Sequence, residues 1–144
     1  MRLTDYPVLF PLDRRKTRFR LSSAYGMRYH PIRKRRIFHK GIDLAAPEGE
    51  PVYSAGNGMV VRAGYSRSYG RFVRIRHTGG YATLYAHMSR IHVKTGTAVA
   101  IGRRIGDVGH SGMATGNHLH FELERNGRTV DPMRWFGMLK YRHH

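Results

Sequence analysis

Residues 118–123 read His-Leu-His-Phe-Glu-Leu. Strict polar–apolar alternation of this kind argues for a half-buried β-strand. On such a strand His118, His120 and Glu122 share one face, and Leu119, Phe121 and Leu123 share the other. The apolar face is expected to bury against a second layer, while the polar face looks into a cleft. The same period recurs over 81–87, where Tyr81, Thr83, Tyr85 and His87 are expected on one face and Ala82, Leu84 and Ala86 on the other. Phe72 to His77 forms the preceding strand, and Thr78-Gly79-Gly80 joins the two as a hairpin. Asn126-Gly127 turns the strand at 118–123 back onto Arg128-Thr129-Val130. Pro51 to Ser54, Gly58 to Ala63, Ala98 to Ile101 and Ile105 to Val108 are further strand candidates. The 17 glycines are scattered between these short segments, which is the pattern of an all-β chain with many turns. Asp131-Pro132 supplies an N-cap and a first-turn proline for a short terminal helix through Trp135-Phe136.

The chain has 144 residues, of which 40% are hydrophobic. That is enough for one domain with a real core, and it argues against disorder. The expected organisation is a basic arm over 1–20, a domain over 21–136 and a tail over 137–144. The 26 Lys+Arg against 9 Asp+Glu leave a formal charge of +17, which implies an acidic partner. Nucleic acid is the usual first reading of such a charge. The sequence offers no basic helix, zinc-finger spacing or RNA-recognition signature to support it. Anionic wall polymers, lipopolysaccharide and anionic lipid fit equally well. The run Arg33-Lys34-Arg35-Arg36 reads as the tip of the loop leading to His39, serving either as a solvated turn or as an anion-binding lip. No apolar run approaches a membrane span. No apolar core of a signal peptide follows Met1-Arg2-Leu3-Thr4, so the expectation is either that the protein is not exported by that route or that the sequence begins after the signal.

Three segments carry side chains suited to a metal: His39-Lys40-Gly41-Ile42-Asp43, Tyr85-Ala86-His87-Met88-Ser89 and Asn117-His118-Leu119-His120. Gly41 and Pro47 disfavour a helix in the first segment. On an extended strand His39 and Asp43 would share a face. His118 and His120 project together from a strand, and His87 alone reads as a packed histidine. The chain has no cysteine, and an imidazole and carboxylate set without thiolate suits Zn²⁺ at a catalytic position. His143 and His144 are left out of the site.

The order and setting of these segments resemble the lysostaphin-type, or LytM-like, peptidoglycan metalloendopeptidases. The resemblance runs from Leu21 to Pro132. It includes Ser22-Ser23-Ala24-Tyr25-Gly26-Met27-Arg28-Tyr29-His30-Pro31, the three histidine segments, and the closing Val130-Asp131-Pro132. It implies a compact, antiparallel β-sandwich-like core with a groove over one sheet and a zinc ion at the groove floor. Matched residue by residue, it implies His39, Asp43 and His120 as metal ligands, and His87 and His118 as catalytic residues that do not bind the metal. His118 is favoured as general base because it shares a strand with His120, which leaves His87 to steady the oxyanion or assist proton transfer. Glu122 is either a partner that holds a ligand histidine or a solvent-facing carboxylate. Some of Tyr25, Tyr29, Tyr53, Tyr65 and Tyr69 are candidates for the groove wall, although packing accounts for each taken singly. His30-Pro31 is a candidate for the groove edge. His77, His92 and His110 read as structural or surface residues.

The activity implied is hydrolysis of peptide cross-links in bacterial peptidoglycan. The segment from Ser22 to Pro31 resembles the D,D-endopeptidase branch, which acts on D-alanyl–diaminopimelate bonds. Polyglycine bridges are the alternative substrate. A non-catalytic wall-binding or amidase-activating module is the alternative from another class, and the intact ligand set weighs against it. The implied location is the periplasm or the cell exterior, and a monomer is expected.

Overall fold

A computed structural model describes residues 2–30 and 34–142. Its strands are β1 (Arg20–Ser23), β2 (Gly26–His30), β3 (Arg35–His39), β4 (Ile42–Ala45), β5 (Pro51–Tyr53), β6 (Gly58–Ser66), β7 (Gly70–Arg76), β8 (Tyr81–Ile91), β9 (Ala98–Val99), β10 (Arg104–Val108), β11 (His118–Arg125) and β12 (Arg128–Val130). A helix, α1, follows over Pro132–Arg142. The all-β, antiparallel expectation holds. One sheet runs β1-β4-β11-β8-β7-β6-β9, with β12 on β11 and with β5 and β10 joined through β8, while β2 and β3 form a separate hairpin. The strand β8 serves two neighbourhoods. Residues 82–88 pair with β7 and residues 81–86 with β11, whereas Met88 to Ile91 pair with β10.

These strands form where side chains can alternate between a core and a polar surface. Leu119, Phe121 and Leu123 of β11 are fully buried beside Ile42 and Leu44 of β4, Tyr85 of β8, Val73 and Ile75 of β7, and Val52 and Ile105 from the β5–β10 pair. Fully burying each such side chain contributes about 1.5–3 kcal/mol. Cross-strand register carries the pattern across the sheet: Phe121 lies opposite Ile42 on one side and Tyr85 on the other. A buried polar chain crosses the same core. The Ala55 amide donates to the Tyr85 hydroxyl, which bonds Thr83, which bonds Nε2 of His77. Nδ1–H of His77 donates to the Asn57 carbonyl at 2.8 Å.

Residues 2–19 are tied to this core. Leu12 is part of it, Tyr6, Phe10 and Phe19 pack against it, and Phe10 meets Phe136 of α1. The helix is capped as expected, with the Met133 amide on the Asp131 carboxylate at 3.0 Å. It continues beyond Phe136 to Arg142.

Two local expectations are corrected. Arg35 and Arg36 are not at a loop tip: they open β3, opposite His30 and Tyr29 of β2. Lys34 sits in the turn before β3, at φ 52°, and Arg33, like Pro31, His143 and His144, lies outside the described residues. Nor do His39 and Asp43 share one strand. The chain breaks at Lys40-Gly41 between β3 and β4. Gly41 there passes so close to β11 that a Cβ would overlap the Phe121 carbonyl oxygen. No larger residue fits that crossing.

Candidate active site

Register brings the first donors together. Asp43 on β4 lies directly opposite His120 on β11, so both side chains leave the same face of the sheet. His39 arrives from the end of β3. Donor atoms of His39, Asp43 and His120 all lie within 4.8 Å of one another. Nε2 of His39 is 3.3 Å from one Asp43 oxygen, and Nδ1 of His120 is 2.7 Å from the other.

Each imidazole is held from behind. Nδ1 of His39 lies 2.9 Å from the Ala24 carbonyl, which can only accept, so Nδ1 carries the proton and Nε2 offers its lone pair to the cluster. His120 is turned the other way. Its Nε2 faces Glu122 at 2.9 Å and its Nδ1 faces the cluster. Glu122 in turn accepts from the Tyr69 hydroxyl at 2.7 Å, and the Tyr69 ring stacks on His120 with centroids 5.9 Å apart. Glu122 is 4% exposed, so it is the partner of a ligand-type histidine rather than a solvent-facing carboxylate. A carboxylate behind an imidazole fixes the ring and raises its basicity.

The electrostatics fit a cation. Burial pushes the Asp43 carboxyl up, but hydrogen bonds from His120 and His39 outweigh it and hold Asp43 well below the usual carboxylate range. Burial pulls His120 down, yet Asp43 and Glu122 on its two nitrogens outweigh that and raise it to about 9. Glu122 is lowered despite its burial by His120 and Tyr69. The His120 ring therefore stands between two carboxylates, with Nε2 on Glu122 and the Nδ1 proton facing Asp43 and the cluster. That proton holds the position a metal ion would take, and the two-nitrogen, one-oxygen set matches hard-to-borderline divalent cations.

His118 and His87 complete the cleft. Nδ1–H of His118 donates to the Gly116 carbonyl at 2.9 Å, which turns Nε2 toward Asp43 at 3.8 Å. The rings of His118 and His87 are 4.9 Å apart. The expectation that His87 shares a face with Tyr81, Thr83 and Tyr85 is overturned. Tyr85 and Met88 both enter the main core, whereas Ala86 belongs to the opposite face with Phe72 and Leu84. Arg71 pairs with Met88 and Val73 with Tyr85, so β8 spends three steps against two on β7. The extra residue is a β-bulge, and His87 sits in it at φ 62°. A bulge re-aims a side chain, and this one swings His87 out of the core face to within 5.9 Å of His120, ring to ring.

A left-handed non-glycine residue costs of order 1–3 kcal/mol and persists only where its surroundings enforce it. Here two loops do so. The His87 amide donates to the Tyr69 carbonyl at 2.7 Å, and its Nδ1–H donates to the Ser111 carbonyl at 2.8 Å. The Ser111 hydroxyl donates to the Met88 carbonyl and accepts from the Arg71 amide. Gly70 and Gly112 let these loops meet, since a Cβ on either would overlap the other loop's backbone. Burial, together with the neighbouring His118 and His120, lowers the pKa of His87 below its ordinary value. The ring is therefore neutral, with Nε2 unprotonated.

The structure thus brings together His39, Asp43, His87, His118 and His120. Of the tyrosines, Tyr69 reaches the centre, while Tyr25 bonds the Thr129 carbonyl and Tyr29 and Tyr65 are exposed. Ser111 was not singled out by any sequence signal beyond its place before Gly112. His77 is buried in the core chain, His92 pairs with Asp107 and His110 with Asn117. The side chain of His30 lies outside the description.

A family model described as peptidase family M23 matches residues 37–132. The peptidoglycan DD-endopeptidase ShyA of Vibrio cholerae serotype O1 is 43% identical over 126 residues, covering 87% of this chain and 29% of that protein. Among solved structures, a zinc-containing peptidase from Vibrio cholerae superposes with a TM-score of 0.80 at 38% identity, covering 86% of this chain and 38% of that one. The catalytic domain of lysostaphin, an antimicrobial peptidase from Staphylococcus simulans, superposes with a TM-score of 0.73 at 29% identity, covering 85% and 94%. The chain spans less than a third of the length of the curated relatives it matches.

Proposed function

The chain belongs to peptidase family M23, a family of metallopeptidases, and from that premise we propose that it is a zinc endopeptidase that hydrolyses peptide cross-links of bacterial peptidoglycan. One observation carries this reading. His39, Asp43 and His120 converge with donor atoms within 4.8 Å, beside two further histidines whose Nδ1 atoms are each held by a backbone carbonyl. Two imidazoles and one carboxylate suit Zn²⁺ in a three-ligand catalytic site. When bound, the ion supplies Lewis acidity, polarising a peptide carbonyl and acidifying water.

The remaining work falls to side chains. His118 accepts the proton of the attacking water at Nε2 and returns it to the leaving amine. The backbone carbonyl of Gly116 holds its Nδ1–H and so keeps Nε2 free for this. His87, neutral and held by its Nδ1–H on the Ser111 carbonyl, presents an accepting Nε2 beside His118 and assists in relaying the water proton. Glu122 and Tyr69 keep His120 turned with Nδ1 toward the cluster.

The D-alanyl–diaminopimelate bond is the proposed target, supported by likeness to a relative named a DD-endopeptidase and by the segment from Ser22 to Pro31. Such a substrate places the protein at work in the cell envelope or outside the cell. The +17 charge suits attachment to anionic wall polymers or lipopolysaccharide. No helix among the described residues is long and apolar enough to cross a membrane. The deciding experiment is mass spectrometry of soluble products from purified peptidoglycans of different cross-link chemistry, with zinc-loaded protein. Release of peptides cut at D-alanyl–diaminopimelate bonds is expected. Cleavage confined to polyglycine bridges would replace the bond assignment, and no cleavage of any cross-link would end the reading.

A further inference from the structure

The sheet face that carries His120 and Glu122 continues past Tyr69 into a second recess. Glu122 pairs with Leu84 on β8, Leu84 with Arg74 on β7, and Arg74 with Arg62 on β6. All four therefore leave the same side of the sheet. Phe72, Leu84 and Ala86 form a small apolar floor there, with Tyr69 packed against it. Beside this floor lies a recess of about 540 Å³ lined by Arg62, Ser66, Ser68, Tyr69, Phe72 and Arg74. The Tyr69 ring is shared. It stacks on His120 at 5.9 Å and meets Phe72 at 5.7 Å, so the recess adjoins the candidate active site.

The charges in the recess do not balance. Arg74 is matched by Glu124 at 2.7 Å. Arg62 has no carboxylate within ion-pair distance among the described residues. The guanidinium of this exposed residue instead lies 5.3 Å from the Phe72 ring centroid, a cation–π arrangement that favours this placement of the fork without neutralising it. An arginine pre-organised in this way suits bidentate capture of a carboxylate. Ser66 adds a donor. Its oxygen already accepts from the Tyr69 amide at 3.0 Å, and its O–H remains to be given away.

The geometry points to a subsite for a carboxylate of the peptide substrate, with Arg62 as the specificity-determining contact and the Tyr69–Phe72 shelf under the peptide's apolar atoms. This rests on the reading above that the neighbouring centre cuts peptides. Arg62 on β6 lies three strands from β11, about 14 Å at the usual strand spacing, and a peptide spans at most ~3.5 Å per residue, so the recess serves an acidic group a few residues from the bond that is cut. Acidic, rather than neutral, cross-linked peptides are the preferred class.

The test uses zinc-loaded protein and a soluble cross-linked peptide whose scissile amide is replaced by a reduced, uncleavable bond. It is prepared with its acidic side group either free or as the primary amide. Calorimetry on wild type should show the free acid binding about tenfold tighter, as expected for one charge-assisted contact. Arg62→Gln should bring that ratio close to one, and Arg62→Lys should keep part of it. Arg15→Gln, on an exposed turn outside the recess, should leave the ratio unchanged. An unchanged ratio in Arg62→Gln, or a wild type indifferent to amidation, overturns the subsite. Failure to cleave the parent peptide would instead sink the peptidase reading, and the binding ratio would still decide the subsite.

Discussion

On β11, His118, His120 and Glu122 reach the cleft because successive residues of a regular strand alternate, whereas on β8, His87 reaches it only because the strand breaks its alternation. The first arrangement is held by ladders to β4 and β8 on both sides. The second is held by two loops that clasp a residue at φ 62°. The part of the centre on β11, with His118, His120 and Glu122, is thus an extension of the core, and the part that carries His87 is a strained graft on it. Damage to one should leave the other measurable.

The largest separation is expected between a donor and its neighbours. Asp43→Ala removes one donor and the charge that pairs both imidazoles, so zinc retained after dialysis should fall to near background, with activity lost. Elemental analysis reads this directly. His118→Ala and His87→Ala should keep wild-type zinc while kcat falls by a factor of roughly 10² to 10⁴. Zinc lost from either variant would mean that metal binding and proton handling are not separable. Next in size is Glu122→Gln, which weakens the hold on Nε2 of His120. Metal affinity measured against a chromophoric chelator should drop by about 10- to 100-fold. Ser111→Ala should do the reverse. It removes the hydroxyl bonds to Met88 and Arg71, costing about 1–3 kcal/mol in unfolding free energy, and lowers kcat with zinc affinity unchanged. A loss of zinc affinity there would erase the distinction between clasp and core.

The smallest effect belongs to His77, which follows β7 and bonds Thr83 on the regular half of β8. Burial lowers the pKa of His77 below 6.5 in spite of its bond to Asn57. The folded state therefore favours the neutral ring, and the unfolded chain binds the proton more readily. The stability contributed is full above pH 6.5 and is lost as the pH falls through the folded-state pKa. Thermal melts from pH 8 to pH 5 should show a steeper decline for wild type than for His77→Gln. Parallel curves would remove His77 from the account.

What was legible follows the same division. Alternation over 118–123 and the Asn126-Gly127 turn show in the structure as β11, its hairpin and the faces expected of His118, His120 and Glu122. The placement of His87 was not legible, because nothing local at a histidine marks a left-handed bulge. It is imposed by Ser111, 24 residues away. Strands β1 to β3 carry mostly exposed side chains with no clean alternation, so periodicity gave no signal for them or for the strand role of Arg35 and Arg36. The five candidate site residues were picked out by family resemblance. Their convergence depends on register between β4 and β11 and on a glycine crossing, neither of which local pattern encodes.

Trp135 is the sole tryptophan of the chain. Its ring lies 5.0 Å from that of Tyr81, and its indole N–H donates to the Pro7 carbonyl at 2.7 Å. The indole therefore belongs half to α1 and half to the segment that precedes β1. Its emission wavelength is a built-in optical gauge of whether that segment is seated, and it can be read during refolding or under load without any attached dye.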